Sequence, residues 1–133
     1  MRRGRTSLGG CEGAASAVEF ALVAPVFILL VFGLLQGGMA VFSYTALERA
    51  NEAGARHLLF DSSDTAGAKS VVRKEAIGAA LNPDRLTIST ETRTVPYPHI
   101  ELKAEYLFQM PAALLWPEGL TLTSVVTVPV DTN

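Results

Sequence analysis

The chain has 133 residues, which is room for one small domain and little more. Hydrophobic residues make up 49% of it and charged residues 18%, and the mean hydropathy is +0.29. This composition is more hydrophobic than is usual for a soluble domain. The net charge is −2, and no basic patch exists beyond Arg2, Arg3 and Arg5, which argues against a nucleic-acid partner. A single cysteine excludes an internal disulfide.

The first segment, residues 1–17, is polar and small without periodicity, and we expect it to be a disordered cytoplasmic leader. Before Glu19 three arginines oppose only Glu12, a net charge of +2, whereas the chain after Glu19 carries −3. A positive flank on the cytoplasmic side follows the positive-inside rule. Cys11 ends a Leu-Gly-Gly-Cys string that looks like a lipidation site, but such a site must follow an apolar segment and none precedes it.

Residues 18–44 form an apolar run that is long enough for a transmembrane helix, which needs about 20 residues. Pro25 falls in its first turns, where a local adjustment or a neighbouring helix can absorb the lost hydrogen bond. Gly33 and Gly37 have the spacing that permits close helix packing, although glycine is also simply common in membrane helices. Both interpretations of this glycine pair stay open.

A conventional secretory signal is the competing interpretation of the apolar run. Gly38-Met39-Ala40 offers a small-x-small cleavage site after it. The run is, however, about twice as long as the apolar region of such signals, and helical periodicity continues beyond it. We therefore favour a retained membrane span.

The long helix is predicted to continue beyond the span to Phe60 as an amphipathic outer half. Small and apolar residues recur there at helical spacing, and a favourable i,i+4 ion pair is expected between Glu52 and Arg56. The apolar positions are Leu47, Ala50, Gly54 and Leu58.

The predicted fold class is α+β: this long helix, a short second helix and a small three-stranded antiparallel sheet in an extracytoplasmic domain of residues 45–133. The second helix is predicted over 69–81, with Val71, Val72, Ala76 and Ala80 on its apolar side. After Asn82-Pro83 the apolar period changes to two, which is typical of half-buried strands. The predicted strands are 86–92, 100–106 and 120–128.

The polar residues of the domain predict no enzyme, no metal site and no cofactor. His57 and His99 are far apart in sequence, and neither belongs to a cluster with ligand spacing. We expect His57 on the polar side of the outer helix and His99 in a loop. Ser62, Ser63 and Asp64 have the character of a helix cap, and no phosphate-binding glycine loop follows a strand.

Trp116, beside Leu114 and Leu115, lies in the connection before the third strand and has two interpretations. It could be an exposed anchor for another protein. It could instead close the end of the small sheet, which we favour.

Glu19 is the carboxylate at the start of the apolar run, and no other charge follows it until Glu48. A charge at the mouth of a membrane span is costly and usually has a partner or a function. The alternatives are an ordinary flanking charge that reaches the headgroups and a carboxylate that pairs with a cation inside the membrane.

The segment Gly13-Ala-Ala-Ser-Ala-Val-Glu19-Phe20, with the small-residue helix that continues to Arg56, resembles the TadE-like pseudopilins, minor pilins of the bacterial tight-adherence (Flp) pilus system. The resemblance is specific over residues 13–56 and general over the rest. It implies a class III signal peptide that a prepilin peptidase cuts between Gly13 and Ala14. It also implies that Glu19, next to Phe20, pairs with the N-terminal amine of a neighbouring subunit and sets its register.

The implied partners are the prepilin peptidase, other pilins and pseudopilins, the inner-membrane assembly platform and the lipid bilayer. The implied location is the bacterial inner membrane, as a single-pass protein with a cytoplasmic N-terminus, or the pilus. One departure matters, because Glu19 is the sixth residue after Gly13 and the family pattern normally has the glutamate fifth. The cut could therefore follow Ala14, or not occur. The alternative function is an unprocessed, membrane-anchored periplasmic binding module.

Overall fold

The computed structural model describes residues 9–109 and 119–130, and it confirms the predicted α+β class. Two helices are followed by a 3₁₀ turn, Pro83–Arg85, and three strands. The elements are α1 (Gly9–Phe60), α2 (Thr65–Gly78), β1 (Leu86–Arg93), β2 (His99–Phe108) and β3 (Leu120–Pro129). The predictions for Arg2, Arg3, Arg5, Leu114, Leu115 and Trp116 lie outside the described residues.

The first helix is the element that could cross a membrane. Its segment Ser16–Phe60 contains a window with a mean hydropathy of 2.6, none of which is buried inside the protein. Pro25 lies inside α1, and the helix continues through it. The helix begins at Gly9, so residues 9–17, where we expected disorder, are helical.

The chain divides into two compact units, Met1–Gly38 and Met39–Asn133. The boundary falls inside the predicted span of residues 18–44, because the outer part of α1 belongs to the second unit. That unit holds the hydrophobic core of the described residues.

The outer half of α1 packs into the core with the stripe that the sequence predicts. Leu47, Ala50, Gly54 and Leu58 are all buried. Gly54 marks the closest approach, because a Cβ atom there would collide with the Val72 side chain and come within 3.0 Å of Leu102 Cδ2. The described contacts include no ion pair between Glu52 and Arg56, both of which are exposed.

The second helix begins four residues earlier than predicted, at Thr65, and ends at Gly78. Its buried residues are Ala68, Val72 and Ala76, whereas Val71 is half-buried. Ala80 is an exposed turn residue with φ +63°, so it lies outside the helix face predicted for it.

The three strands form one antiparallel sheet in the order β1-β2-β3, and every strand end lies within two residues of its prediction. Leu102 pairs with Thr90 on one side and Val126 on the other, which fixes the register. The even-numbered positions of β2 are buried and the odd-numbered ones from Glu101 onward are half-buried, as period-two burial requires. The central strand therefore carries the inner face of the core.

Candidate functional site

Glu19 and Phe20 lie on α1, in the first unit, and both side chains are exposed. Phe20 is 73% exposed, and exposed apolar side chains follow it along the helix. The described contacts give the Glu19 carboxylate neither a hydrogen bond nor an ion pair. A carboxylate beside an apolar surface is thus available to a cation from outside the chain.

Gly13 and Ala14 are also exposed, in the first turns of α1, and a Cβ atom at Gly13 would meet nothing within 4 Å. The first turn of a helix leaves its backbone N–H groups without intrahelical acceptors, so helix ends unwind most easily. A bond at this place is more accessible to a peptidase than one in the middle of α1.

Gly33 and Gly37 lie one turn apart on one face, and the space in front of both is open. Glu19 and Gly37 are separated by 18 residues, about five helical turns, so they lie in line about 27 Å apart. Gly33 deviates from that line by about 40° and Gly13 by about 120°. The helix thus brings Glu19, Gly33 and Gly37 onto one face, which a single neighbouring helix could contact.

In the second unit, Asn51 is a fully buried amide that the sequence pattern did not single out. Its Nδ2 donates to the backbone oxygens of Leu102 and Ser124, each at 3.1 Å, and lies 3.1 Å from Ser124 Oγ. Its Oδ1 has no hydrogen-bond partner among the described residues. The amide fastens α1 to the two strands β2 and β3.

His57 and Asp64 join the end of α1 to the start of α2. His57 Nε2 lies 2.9 Å from Asp64 Oδ2, and Asp64 Oδ1 accepts a 2.8 Å hydrogen bond from the Gly67 backbone N–H. The His57 hydrogen bond, followed by the Gly67 one, lowers the pKa of Asp64 below its usual 3.8. The capping role predicted for Asp64 is confirmed, and its contact with His57 was not predicted.

The outer face of the sheet carries a row of ion pairs. Glu91 and Glu101 are directly opposite, and Arg93 contacts both, at 3.1 and 3.0 Å. Lys103 Nζ lies 2.8 Å from Glu105 Oε1, and this hydrogen bond raises the pKa of Lys103. Alternating charges of this kind keep the outer face solvated.

His99 is not in a loop, as we expected, but is the first residue of β2 and is buried. Its Nδ1 lies 2.6 Å from the Tyr97 carbonyl oxygen, and the Tyr97 ring stacks on it at a tilt. Both histidines therefore serve local structure. Among the residues that the structure describes, no three His, Cys, Asp or Glu side chains are grouped to hold a metal ion.

Two grooves open on the surface of the second unit. One, of about 550 Å³, lies between α1 and the end of α2, with Arg49 and Glu75 among its lining residues. The other, of about 300 Å³, lies between α1 and β3 and is lined mainly by apolar groups, among them Leu59, Val126 and Pro129. Neither groove was predictable from the sequence, because each depends on the packing of distant segments.

Over the described residues, the fold and the exposed helix define a class of protein: a small α+β domain with one candidate membrane anchor. Residues 14–56 match the family model described as "TadE-like protein", which confirms the resemblance over the long helix. No curated protein and no solved structure gives a significant match. The family match points to a Tad pilus-related protein.

Proposed function

We propose that this protein is a minor pilin that acts in the assembly of adherence pili from the inner membrane. The observation that carries the proposal is the TadE-like match over residues 14–56, a stretch whose first charge is Glu19 and in which most large apolar side chains from Phe20 to Phe42 are exposed. An exposed apolar helix needs lipid or other helices around it. Before assembly the membrane supplies the lipid around this helix. After assembly the helices of neighbouring subunits take its place.

Processing is the first step of the proposal, with a cut between Gly13 and Ala14 by a prepilin peptidase. The family match, over residues 14–56, lies entirely after this bond. The cut removes the arginine-rich leader, so the basic residues that orient insertion are absent from the mature subunit. It also leaves a free amine at the start of α1.

Register is the second step, in which Glu19 pairs with the N-terminal amine of a neighbouring subunit. In a low-dielectric environment such a pair must have good geometry to offset desolvation, so it specifies position more than it adds stability. Gly33 and Gly37, on the same face of α1 as Glu19, would let the neighbouring helix approach closely. Other pilins and the assembly platform are the partners in this account, and no nucleic acid takes part.

Mass spectrometry of the mature N-terminus, in strains with and without the prepilin peptidase, tests the processing step. We expect a chain that begins at Ala14 in the first strain and an intact Met1 leader in the second. A chain that begins at Ala15 would move the cut by one residue. An intact leader in both strains would leave the unprocessed membrane-anchored binding module as the function.

Substitution of Glu19 by alanine tests the register step. The variant should insert into the membrane normally but enter assembled pili poorly. Gly37→Leu should have the same effect by blocking helix approach, and Gly38→Leu, about 100° around the helix, is its matched control. Normal incorporation of Glu19→Ala would show that this carboxylate does not set register.

A further inference from the structure

The groove between α1 and α2 has the chemistry of an amphipathic binding site. Small residues form its floor, and two of them, Ala46 and Ala50, are buried. Arg49 and Glu75, both exposed, stand at its rim. Phe42, which is 64% exposed, adds an apolar surface to the lining. A volume of about 550 Å³ is in the range of small-molecule sites.

The two charges at the rim are not neutralised by other residues that the structure describes. Among the described residues, neither Arg49 nor Glu75 has an ion pair or a side-chain hydrogen bond, although both line one groove. Arg49 offers a planar set of donors that suits a phosphate, and Glu75 offers an acceptor that suits an ammonium group. The pair is therefore complementary to a ligand that carries both charges.

The position of the groove along the chain points to the source of that ligand. Counted from Phe20, the twentieth residue of the apolar run is Met39, and about 20 residues cross the hydrocarbon layer. Phe42 follows within one turn and Tyr44 within two, and tyrosine is enriched at the edge of a membrane. Arg49 comes five residues after Tyr44, about 8 Å along the helix, and its long side chain can reach back to headgroup level.

We propose that this groove binds one zwitterionic phospholipid with a primary-amine headgroup, such as phosphatidylethanolamine. Its phosphate pairs with Arg49, its ammonium group with Glu75, and the first part of an acyl chain lies along Phe42. This site rests on the membrane anchoring in the proposed function and adds a specific lipid contact. The bound headgroup would hold the second unit at the membrane surface.

The chemistry of the headgroup distinguishes phosphatidylethanolamine from other phospholipids. A choline headgroup keeps the positive charge but has no N–H to donate to Glu75. A glycerol headgroup leaves the Glu75 carboxylate without a cation. The expected preference is therefore phosphatidylethanolamine first, then phosphatidylcholine, then phosphatidylglycerol.

The test uses the full chain in mixed micelles with each of the three lipids, and native mass spectrometry counts retained lipid. Arg49→Ala should reduce retention of all three about tenfold, because a charge-assisted contact is lost. Glu75→Gln should keep retention but remove the preference for phosphatidylethanolamine over phosphatidylglycerol. Arg73→Ala, an exposed arginine of α2 outside the groove, is the matched control for Arg49.

Equal retention by Arg49→Ala and Arg73→Ala would overturn the proposal. So would a cross-link between two copies through Arg49 that lipid does not displace, since a second subunit would then occupy the groove. Flotation of all variants with liposomes keeps the two proposals distinguishable. If the unaltered chain fails to float, membrane anchoring is wrong, whereas floating variants with unchanged lipid retention refute only the lipid site.

Discussion

At the residue scale, Asn51 shows how one polar side chain can hold the domain together. Its Nδ2 contacts acceptors on β2 and β3 from the buried face of α1. Without it, the backbone oxygens of Leu102 and Ser124 would each lose a hydrogen-bond donor, and an unmade buried hydrogen bond costs more than a made one contributes. This role was not predictable from the sequence, because an asparagine in an otherwise apolar stripe is equally compatible with exposure.

Asn51→Ala should lower the free energy of unfolding by about 1–3 kcal/mol, since it leaves buried polar groups unsatisfied. Urea titration of the full chain in micelles, followed by circular dichroism, measures the change. Glu48→Ala, an exposed position three residues earlier on α1, is the control and should be nearly neutral. Equal midpoints for the two variants would show that the Asn51 contacts contribute little.

Asp64, the residue that caps the start of α2, should make the stability of the folded protein depend on pH. Its pKa is lowered below 3.8 in the folded protein, so the unfolded chain takes up the proton first as the pH falls. The stabilisation is therefore complete above about pH 5 and is lost as the pH falls through the folded pKa. Asp64→Asn keeps a capping side chain but removes this charge.

The difference in thermal midpoint between the unaltered chain and Asp64→Asn should accordingly shrink from pH 7 to pH 3. Glu48→Gln, which removes one exposed charge of the same sign from α1, is the control for net charge. A difference that stays constant over this range would mean that the ionisation of Asp64 does not contribute to stability. The side chain would then act only through its hydrogen bonds with His57 and Gly67.

At the element scale, the contact between α1 and α2 depends on a glycine. A Cβ atom at Gly54 would collide with Val72 and lie 3.1 Å from the Ala68 backbone oxygen, so Gly54→Ala should overpack the core and destabilise it by about 1–3 kcal/mol. At Gly78 nothing lies within 4 Å of such an atom. Gly78→Ala should therefore be neutral or stabilise by up to about 1 kcal/mol, through helix propensity.

The two glycine variants form a matched pair, because they make the same chemical change in two helices. Chemical unfolding of both full-length variants measures the difference in sign. If Gly54→Ala is as stable as Gly78→Ala, α1 and α2 can separate enough to admit a methyl group, and the close approach is not obligatory.

The helices and strands of this protein were predictable from the sequence where a local pattern of apolar residues determines their bounds or their buried face. Period-two alternation located all three strands within two residues, and the stripe from Leu47 to Leu58 found the buried side of α1. The start of α2 was missed because Thr65, Gly67 and their neighbours are small residues with little apolar periodicity. There the Asp64 cap and its His57 contact decide the boundary, and that contact joins two separate elements. The two grooves were not predictable either, because each is formed by separate elements that pack together.

At the scale of the whole molecule, the two ends of the chain lie on opposite sides of the membrane in the proposed function. The positive leader should stay inside and the mildly acidic domain should be exported. The only cysteine, Cys11, lies in the leader, before the proposed cut. The native thiol is therefore a reporter of both orientation and processing, without any added tag.

In a strain without the prepilin peptidase, a membrane-impermeant maleimide should label Cys11 in lysed cells but not in intact spheroplasts. The variant Cys11→Ser with Ser62→Cys places the thiol on the exposed turn after α1, and it should be labelled in intact spheroplasts. With the peptidase present, the mature unaltered chain should take up no label, because the cut removes its only thiol. Labelling of Cys11 in intact spheroplasts would show that the orientation is the reverse of the one proposed. A mature chain that keeps its thiol would exclude cleavage at Gly13, since the exported domain contains no other cysteine.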